Sequence, residues 1–430
     1  MIEGLVVNPW YWLAVVLLTV GASVLTRARP LGFRFVVIVL LAQYLVHAAV
    51  AFGPGDLVTL FCFGGFAIFV AGSLPVVSEL VARRINPLLH GQRFRHFDAF
   101  WFHGSRLFLI GYWAARLIAY PATTGDLDLA QRLDAQQQAR VLFFLGQVTL
   151  PAVAGCMAVW LRRGRRLTWL DLLTVVLTVA ALAVSDSKAT ILPVLLAFFG
   201  AMEMSGRRMR EFKAFLIPGI ALIALALVRL VIFFPGKDPW SIAQTMLYRV
   251  AANTDSLEYL KVVGARPQDF PFAGPAALLP YITKWFGFRY DYSPGTWLYG
   301  ARYGDFSGFG PNSGPVVDYL GNLGIAGLLV VLLAALVLGS LRRIGAAVAV
   351  SAASMVYLAF IDVTIFDLPV LFWGAVAAIG VVAVWLPLPR IQLPRRLRRV
   401  WRVIDSPLPR VRLNQAPVRH RENRAQTVSR

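Results

Sequence analysis

Long apolar runs alternate with short polar connections along most of this chain, and each run extends for about twenty residues. A helix of that length is about 30 Å long, which matches the hydrocarbon core of a bilayer. The pattern therefore predicts an all-α polytopic membrane protein with about eleven transmembrane helices. The predicted spans cover residues 8–26, 32–52, 57–78, 103–120, 141–161, 167–185, 188–204, 213–234, 315–340, 345–363 and 367–387.

One polar interruption, residues 235–314, is too long to be an ordinary connection. It divides the chain into an N-terminal transmembrane block of about eight helices (1–234) and a C-terminal block of about three (315–387). A basic, proline-containing tail follows (388–430), and its composition predicts disorder. Inside the large loop, residues 238–263 carry apolar side chains at helical spacing, which predicts an amphipathic surface helix. The proline-, glycine- and aromatic-rich remainder predicts irregular structure.

Composition and charge fit a membrane protein, since 58% of the residues are hydrophobic and only 15% are charged. A net charge of +20 would suggest a nucleic-acid partner for a soluble chain. Here the cations instead cluster in every second connection, as the positive-inside rule expects. The N-terminus and the 235–314 loop are therefore predicted to lie on the outer, periplasmic side of the membrane. The tail is predicted to lie in the cytoplasm. We expect the tail to bind anionic lipid headgroups. We expect no nucleic-acid partner.

Several cations depart from this bias, because the predicted topology places them at the outer level of the membrane. Cations held on that side need an anionic partner, and a lipid pyrophosphate fits because guanidinium groups match phosphate oxygens. The alternative is pairing with protein carboxylates such as Asp255, Glu258, Asp305 and Asp318. Arg229, within a predicted span, could equally extend its side chain to the outer interface. The cations concerned are Arg116, Lys188, Arg229, Arg249, Arg289 and Arg302.

Three features occur in a recognisable order: a short hairpin SDSKAT, the spacing Arg249-x5-Asp255-x3-Tyr259, and FGPNSGPVVDYLGNLGIAGLL before a span. This layout resembles the O-antigen polymerase (Wzy-type) family of oligosaccharide repeat-unit polymerases. The resemblance implies a multi-pass glycosyltransferase of the bacterial inner membrane. Such an enzyme transfers a growing glycan from undecaprenyl pyrophosphate to the next lipid-linked repeat unit. The product would be O-antigen, capsule or exopolysaccharide, and a chain-length regulator protein is an implied further partner.

The resemblance also implies roles for individual residues. Lys188 matches the family's small-residue-plus-cation hairpin, and Arg249 matches the basic residue that opens its main loop. We assign both cations as catalytic, with a loop carboxylate, Asp255 or Asp305, as the general base. The arginines would replace a divalent ion, so neither a metal nor a cofactor is expected. The predicted diphosphate ligands are Arg116, Arg229, Arg289 and Arg302, and the predicted glycan contacts are Trp240, Tyr259, Tyr290, Trp297, Tyr303 and Asn312.

Two other functions compete with a polymerase. An O-antigen ligase commonly uses a histidine in its large exterior loop, whereas residues 235–314 contain none. A flippase for lipid-linked saccharides would also need cations, but such transporters often carry internal repeats, which this sequence lacks. His47, inside the second predicted span, could relay protons, although packing against a neighbouring helix is the simpler interpretation.

Overall fold

The computed structural model describes most of the N-terminal part of the chain and selected segments of the remainder. The described residues are 8–29, 32–85, 95–123, 145, 152, 168–184, 251–264, 294–304, 314, 316–340, 346–361, 375, 378 and 379. They are almost entirely helical, and no β-strand occurs among them, so the all-α prediction is confirmed for this part. The helices are α1 (Pro9–Thr26), α2 (Phe33–Phe52), α3 (Leu57–Gly72), α4 (Pro75–Ile85), α5 (Arg95–Thr123), α6 (Trp169–Val184), α7 (Asp255–Val263), α8 (Pro294–Tyr303), α9 (Gly327–Ser340) and α10 (Ala346–Ile361).

Helices α1 and α2 are long and apolar enough to cross a membrane, and a third crossing is reached only if the bent pair α3–α4 is counted as one span. Both helices fall where the hydropathy pattern predicts spans, at 8–26 and 32–52. The apolar helices thus indicate a membrane protein. The predicted spans at 188–204 and 213–234 lie outside the described residues, as do nearly all of those at 141–161 and 367–387.

Helix α2 is the centre of the main core. It packs against α1, α3, α7 and α10, and its side chains Val37, Ile38 and Tyr44 are fully buried. Arg34, near its start, donates to the carbonyl oxygens of Thr26 (3.2 Å) and Arg27 (3.5 Å) at the end of α1. These bonds satisfy carbonyl groups that a helix end leaves without intrahelical partners.

The predicted span at 57–78 is wrong in one respect, because the helix breaks inside it. Helix α3 ends at Gly72 and α4 begins at Pro75, with a bend of 65° between them. Proline has no backbone N–H, and its ring clashes with the preceding turn of a helix, so the helix does not continue through it. At the break the chain approaches α9 closely, since a Cβ at Gly72 would lie 2.9 Å from the Ala335 Cβ.

The predicted span at 315–340 also begins later than expected. Residues Val316–Leu320 form a π-helical turn and Gly324–Ala326 form a 3₁₀ turn, so the regular helix α9 starts only at Gly327. Gly324 has a φ of +59°, a left-handed conformation that glycine adopts without the steric cost of a side chain. The chain therefore changes direction before it enters the helix.

Helices α5 and α6 are joined by a buried ion pair. The Arg106 Nη1 lies 3.0 Å from an Asp171 carboxylate oxygen, and Arg106 is only 2% exposed. Arg106 also donates to the Thr168 hydroxyl (3.1 Å) and to the His103 Nδ1 (2.7 Å). An arginine near the end of a predicted span can extend to the membrane surface, but Arg106 instead pairs with a carboxylate on the neighbouring helix.

Candidate functional site

Two short helices from the large loop form part of the main core. Helices α7 and α8 pack together, and α7 also lies against α2. Leu257 and Leu260 of α7 and Leu298 of α8 are buried with side chains of α2 and α9. Burying large aliphatic side chains stabilises a fold by about 1.5–3 kcal/mol each, so this part of the loop has a fixed position.

The loop helices differ from the prediction in two ways. The expected continuous helix over 238–263 is interrupted in its described part, because a 3₁₀ turn (Ala252–Thr254) precedes α7. Helix α8 occupies a stretch predicted to be irregular. Pro294 stands at its first position, where the missing N–H costs nothing and the fixed φ favours a helical start. Packing against α7 then compensates for its glycine-containing sequence.

Polar side chains of α2 anchor the turn that precedes α7. The Tyr44 hydroxyl donates to the Asn253 carbonyl oxygen at 3.0 Å, and His47 Nδ1 lies 2.8 Å from the Thr254 hydroxyl oxygen. The Thr254 hydroxyl itself donates to the Ala251 carbonyl oxygen at 2.9 Å. With the Thr254 proton directed to the Ala251 carbonyl oxygen, His47 Nδ1 carries a proton and is the donor to Thr254. Among the described residues, the hydrogen-bond partner of His47 is this loop turn.

We expect Thr254→Val to loosen this anchor. The substitution keeps the side-chain shape but leaves the buried His47 N–H without an acceptor, which costs about 1–3 kcal/mol. The thermal unfolding midpoint of the detergent-purified protein should fall. The Thr254→Ser variant keeps the hydroxyl group, so its midpoint should stay close to that of the wild type. An unchanged midpoint in Thr254→Val would show that the His47 contact contributes nothing to stability.

Asp255 is the first residue of α7 and its carboxyl group is largely enclosed. The pKa of Asp255 is raised from 3.8 to about 7, mainly by burial and also by the charge of Glu258, while a hydrogen bond from the backbone N–H of Ser256 acts in the opposite direction. Within the described residues, no hydrogen-bond partner reaches its buried Oδ1. A carboxylate with a pKa near 7 is suited to accept a proton at neutral pH.

Beside Asp255 lies a tyrosine–arginine patch, which we define as Tyr259, Tyr299, Arg302 and Tyr303. The three tyrosine ring centroids are 4.8–6.4 Å apart. The guanidinium carbon of Arg302 lies 4.6 Å from the Tyr259 ring centroid and 5.0 Å from that of Tyr303. Rings at this spacing stabilise a cation through their π-electrons. The patch therefore combines flat aromatic surfaces with one positive charge.

The patch and the carboxylate share one helix face. Asp255 and Tyr259 are four residues apart on α7, a spacing that makes side chains neighbours, and the Asp255 charge acts on the Tyr259 hydroxyl. Partial burial and a side-chain hydrogen bond with Tyr303 raise the pKa of Tyr259 to about 12, so this phenol stays neutral at physiological pH. Among the described residues, no carboxylate pairs with Arg302. In this part of the chain, therefore, no protein carboxylate competes with an external anion for its N–H groups.

The other described candidate residues lie elsewhere. Trp297 packs against the main core, on the same helix as the patch. Arg116 of α5 donates to the Tyr112 hydroxyl at 3.2 Å, in a second apolar cluster. Eight candidates fall outside the described residues: Lys188, Arg229, Trp240, Arg249, Arg289, Tyr290, Asp305 and Asn312.

Sequence reasoning missed Tyr299 and Tyr44. Tyr299 and Tyr303 are four residues apart, a signal that becomes visible only once the stretch is recognised as a helix. Tyr44 gave no signal, because an aromatic residue in an apolar span is normally a packing residue. The described residues contain no group of three or more side chains arranged to hold a metal ion.

Comparison with models of known protein families, with curated proteins and with solved structures finds no match to this chain.

Proposed function

We propose that the chain is a membrane glycosyltransferase that polymerises undecaprenyl-pyrophosphate-linked repeat units into a bacterial surface polysaccharide. In this proposal about eleven helices cross the inner membrane, and the 235–314 loop with its site faces the periplasm. The observation that carries the proposal is the position of Asp255, whose pKa is raised to about 7, one helical turn from the tyrosine–arginine patch.

The reaction needs a base, a cation and a glycan surface. Asp255 takes the proton of the acceptor sugar hydroxyl as that oxygen forms a bond to the anomeric carbon of the donor glycan. The bond between this carbon and the diphosphate oxygen breaks, and its electron pair leaves with the lipid diphosphate. Negative charge develops on that leaving group, so a guanidinium beside it stabilises the transition state.

Arg302 is the described cation suited to this role. The Tyr259 and Tyr303 rings hold its guanidinium in place, and no carboxylate of the described residues pairs with it. Lys188, Arg249, Arg229 and Arg289 would complete the diphosphate site, with Asp305 as the other candidate base. The tyrosine rings would stack against sugar rings, since aromatic faces present a broad apolar surface with a polar edge.

We expect Arg302→Ala to slow glycan chain growth about 10–100-fold. A hydrogen bond from a charged group contributes about 1.5–3 kcal/mol, and 1.4 kcal/mol is a tenfold change in rate. The assay uses the purified protein in liposomes with lipid-linked repeat units, with product length read on a gel. Lys261→Ala is the matched control, because Lys261 is an exposed cation of α7, and it should polymerise normally. Equal chain growth in both variants would remove Arg302 from the site.

Gene deletion separates the three functions by phenotype. Loss of a polymerase leaves surface glycan with a single repeat unit, whereas loss of a flippase leaves none. Loss of a ligase leaves full-length polymer on its lipid carrier. Either of the last two outcomes would refute the polymerase proposal.

A further inference from the structure

Helix α4 has an exposed face that differs from those of the transmembrane helices. Val76 and Leu80 are 70% and 59% exposed, and the exposed Arg83 and Arg84 follow at positions i+7 and i+8 from Val76. Residues at this spacing lie on one side of a helix. The face therefore combines two aliphatic side chains at its beginning with two guanidinium groups at its end.

The opposite face of α4 is packed against the protein. Helix α4 contacts α9, and the approach is close enough that a Cβ at Gly339 would overlap the Ser78 hydroxyl. This contact fixes the rotation of α4 about its axis. The face with Val76 and Leu80 is consequently directed away from the helical core.

The bend after α3 orients this face relative to a bilayer. If α3 crosses along the membrane normal, the 65° bend places α4 within about 25° of the membrane plane. Residues 57–74 already extend about 27 Å, nearly the thickness of the hydrocarbon core, so α4 is not needed to complete the crossing. Continuing the span through α4 would bring Glu79, Arg83 and Arg84 into hydrocarbon, at about 2.5–3.5 kcal/mol for each arginine.

We propose that α4 is an interfacial helix whose exposed face binds anionic phospholipid, with Val76 and Leu80 among the acyl chains and Arg84 at the headgroup phosphate. Arg83 is held 3.1 Å from Glu79. Within the described residues Arg84 has no such carboxylate, so its charge is available to a lipid. The positive-inside rule assigns this connection to the cytoplasmic leaflet, where anionic lipids provide the complementary charge. The inference does not depend on the proposed function.

The test replaces Val76 or Leu80 with the photoreactive residue p-benzoylphenylalanine in the full chain. The protein is placed in nanodiscs of equal phosphatidylglycerol and phosphatidylethanolamine, irradiated, and its adducts are identified by mass spectrometry. We expect lipid adducts at both positions, with phosphatidylglycerol in about fivefold excess. Combining the label at Val76 with Arg83→Gln and Arg84→Gln should bring the two lipids to equal yield.

Leu329 of α9 is the matched control, because it is 61% exposed and apolar and lies in a regular helix without charged residues. The same label at Leu329 should give both lipid adducts equally. An adduct to protein at Val76 would assign the face to a protein contact and overturn the proposal. Two results would overturn the recognition of anionic lipid. One is an equal yield of phosphatidylglycerol and phosphatidylethanolamine adducts at Val76 when both arginines are present. The other is the same phosphatidylglycerol excess at Leu329.

Discussion

Asp255→Asn is expected to abolish glycan chain growth while making the protein more stable above pH 7. Removing a general base typically costs about 10²–10⁴-fold in rate, and asparagine cannot take the proton. In the wild-type protein the reaction rate should rise with pH through about 7, as the Asp255 carboxyl group loses its proton. Chain growth in liposomes over pH 5–9 measures both effects.

The stability effect has a definite sign. The pKa of Asp255 is raised to about 7 in the folded protein, above its ordinary value of 3.8, so the folded state binds the proton more tightly. The stabilisation is fully present below pH 3.8 and is lost as pH rises through 7. Above pH 7 the wild-type protein must bury a charged carboxylate, and the asparagine variant does not. The difference in unfolding midpoint between variant and wild type should therefore grow from about pH 4 to about pH 7 and level off above it.

Glu258→Gln is the matched control on the same helix. It removes the charge that contributes to the raised pKa of Asp255, so chain growth should persist and its rise with pH should shift to lower pH. Wild-type activity in Asp255→Asn would exclude this carboxylate as the base and leave Asp305 as the candidate. A lower unfolding midpoint for Asp255→Asn at pH 8 would contradict the burial argument.

Arg106→Met should destabilise the fold by about 3–5 kcal/mol. The substitution leaves the Asp171 carboxylate, only 11% exposed, without its counterion in the contact between α5 and α6. The double variant Arg106→Met/Asp171→Leu should recover much of the lost stability, because no isolated charge remains buried. Thermal unfolding in detergent and the yield of monodisperse protein report the change.

The exposed ion pair Arg83–Glu79 is the control for the buried ion pair Arg106–Asp171. Its two charged groups are 3.1 Å apart, close to the 3.0 Å of the buried pair, but the side chains are 70% and 50% exposed. Exposed pairs contribute about 1 kcal/mol or less, so Arg83→Met should shift the midpoint only slightly. If Arg106→Met is equally mild, the charge of Asp171 must be solvated in the absence of Arg106, and the ion pair does not stabilise the fold.

The sequence predicts local features of this protein well and distant contacts poorly. Helices α1 and α2 follow directly from unbroken apolar runs. Pro75 could indicate the break between α3 and α4 from the sequence. The residues on both sides of it are apolar, however, so the hydropathy pattern predicts one span. Helix α8 is hidden because proline, glycine and aromatic residues together resemble a loop, whereas Pro294 in fact begins the helix.

The candidate site depends on contacts that no local pattern reveals. Asp255 and Tyr259 could be selected from the sequence by charge, ring chemistry and helical spacing. Their anchoring could not, because Tyr44 and His47 are separated from the turn by more than two hundred positions. In the same way, a window around Arg106 does not contain Asp171, which is 65 residues away. Such pairs form only when whole helices come together.

Tyr44 touches the large loop at two distant points, Asn253 and the last residue, Gly314. Its hydroxyl donates to the carbonyl oxygen of Asn253 and also lies against the backbone of Gly314, where a Cβ would overlap it. The intervening chain is thus closed at a single side chain. The entropy cost of closure grows slowly, by about 0.6 kcal/mol for each doubling of length. Insertions or deletions between these two contacts, outside α7 and α8, can therefore accumulate in evolution at little thermodynamic cost while Asp255 keeps its position.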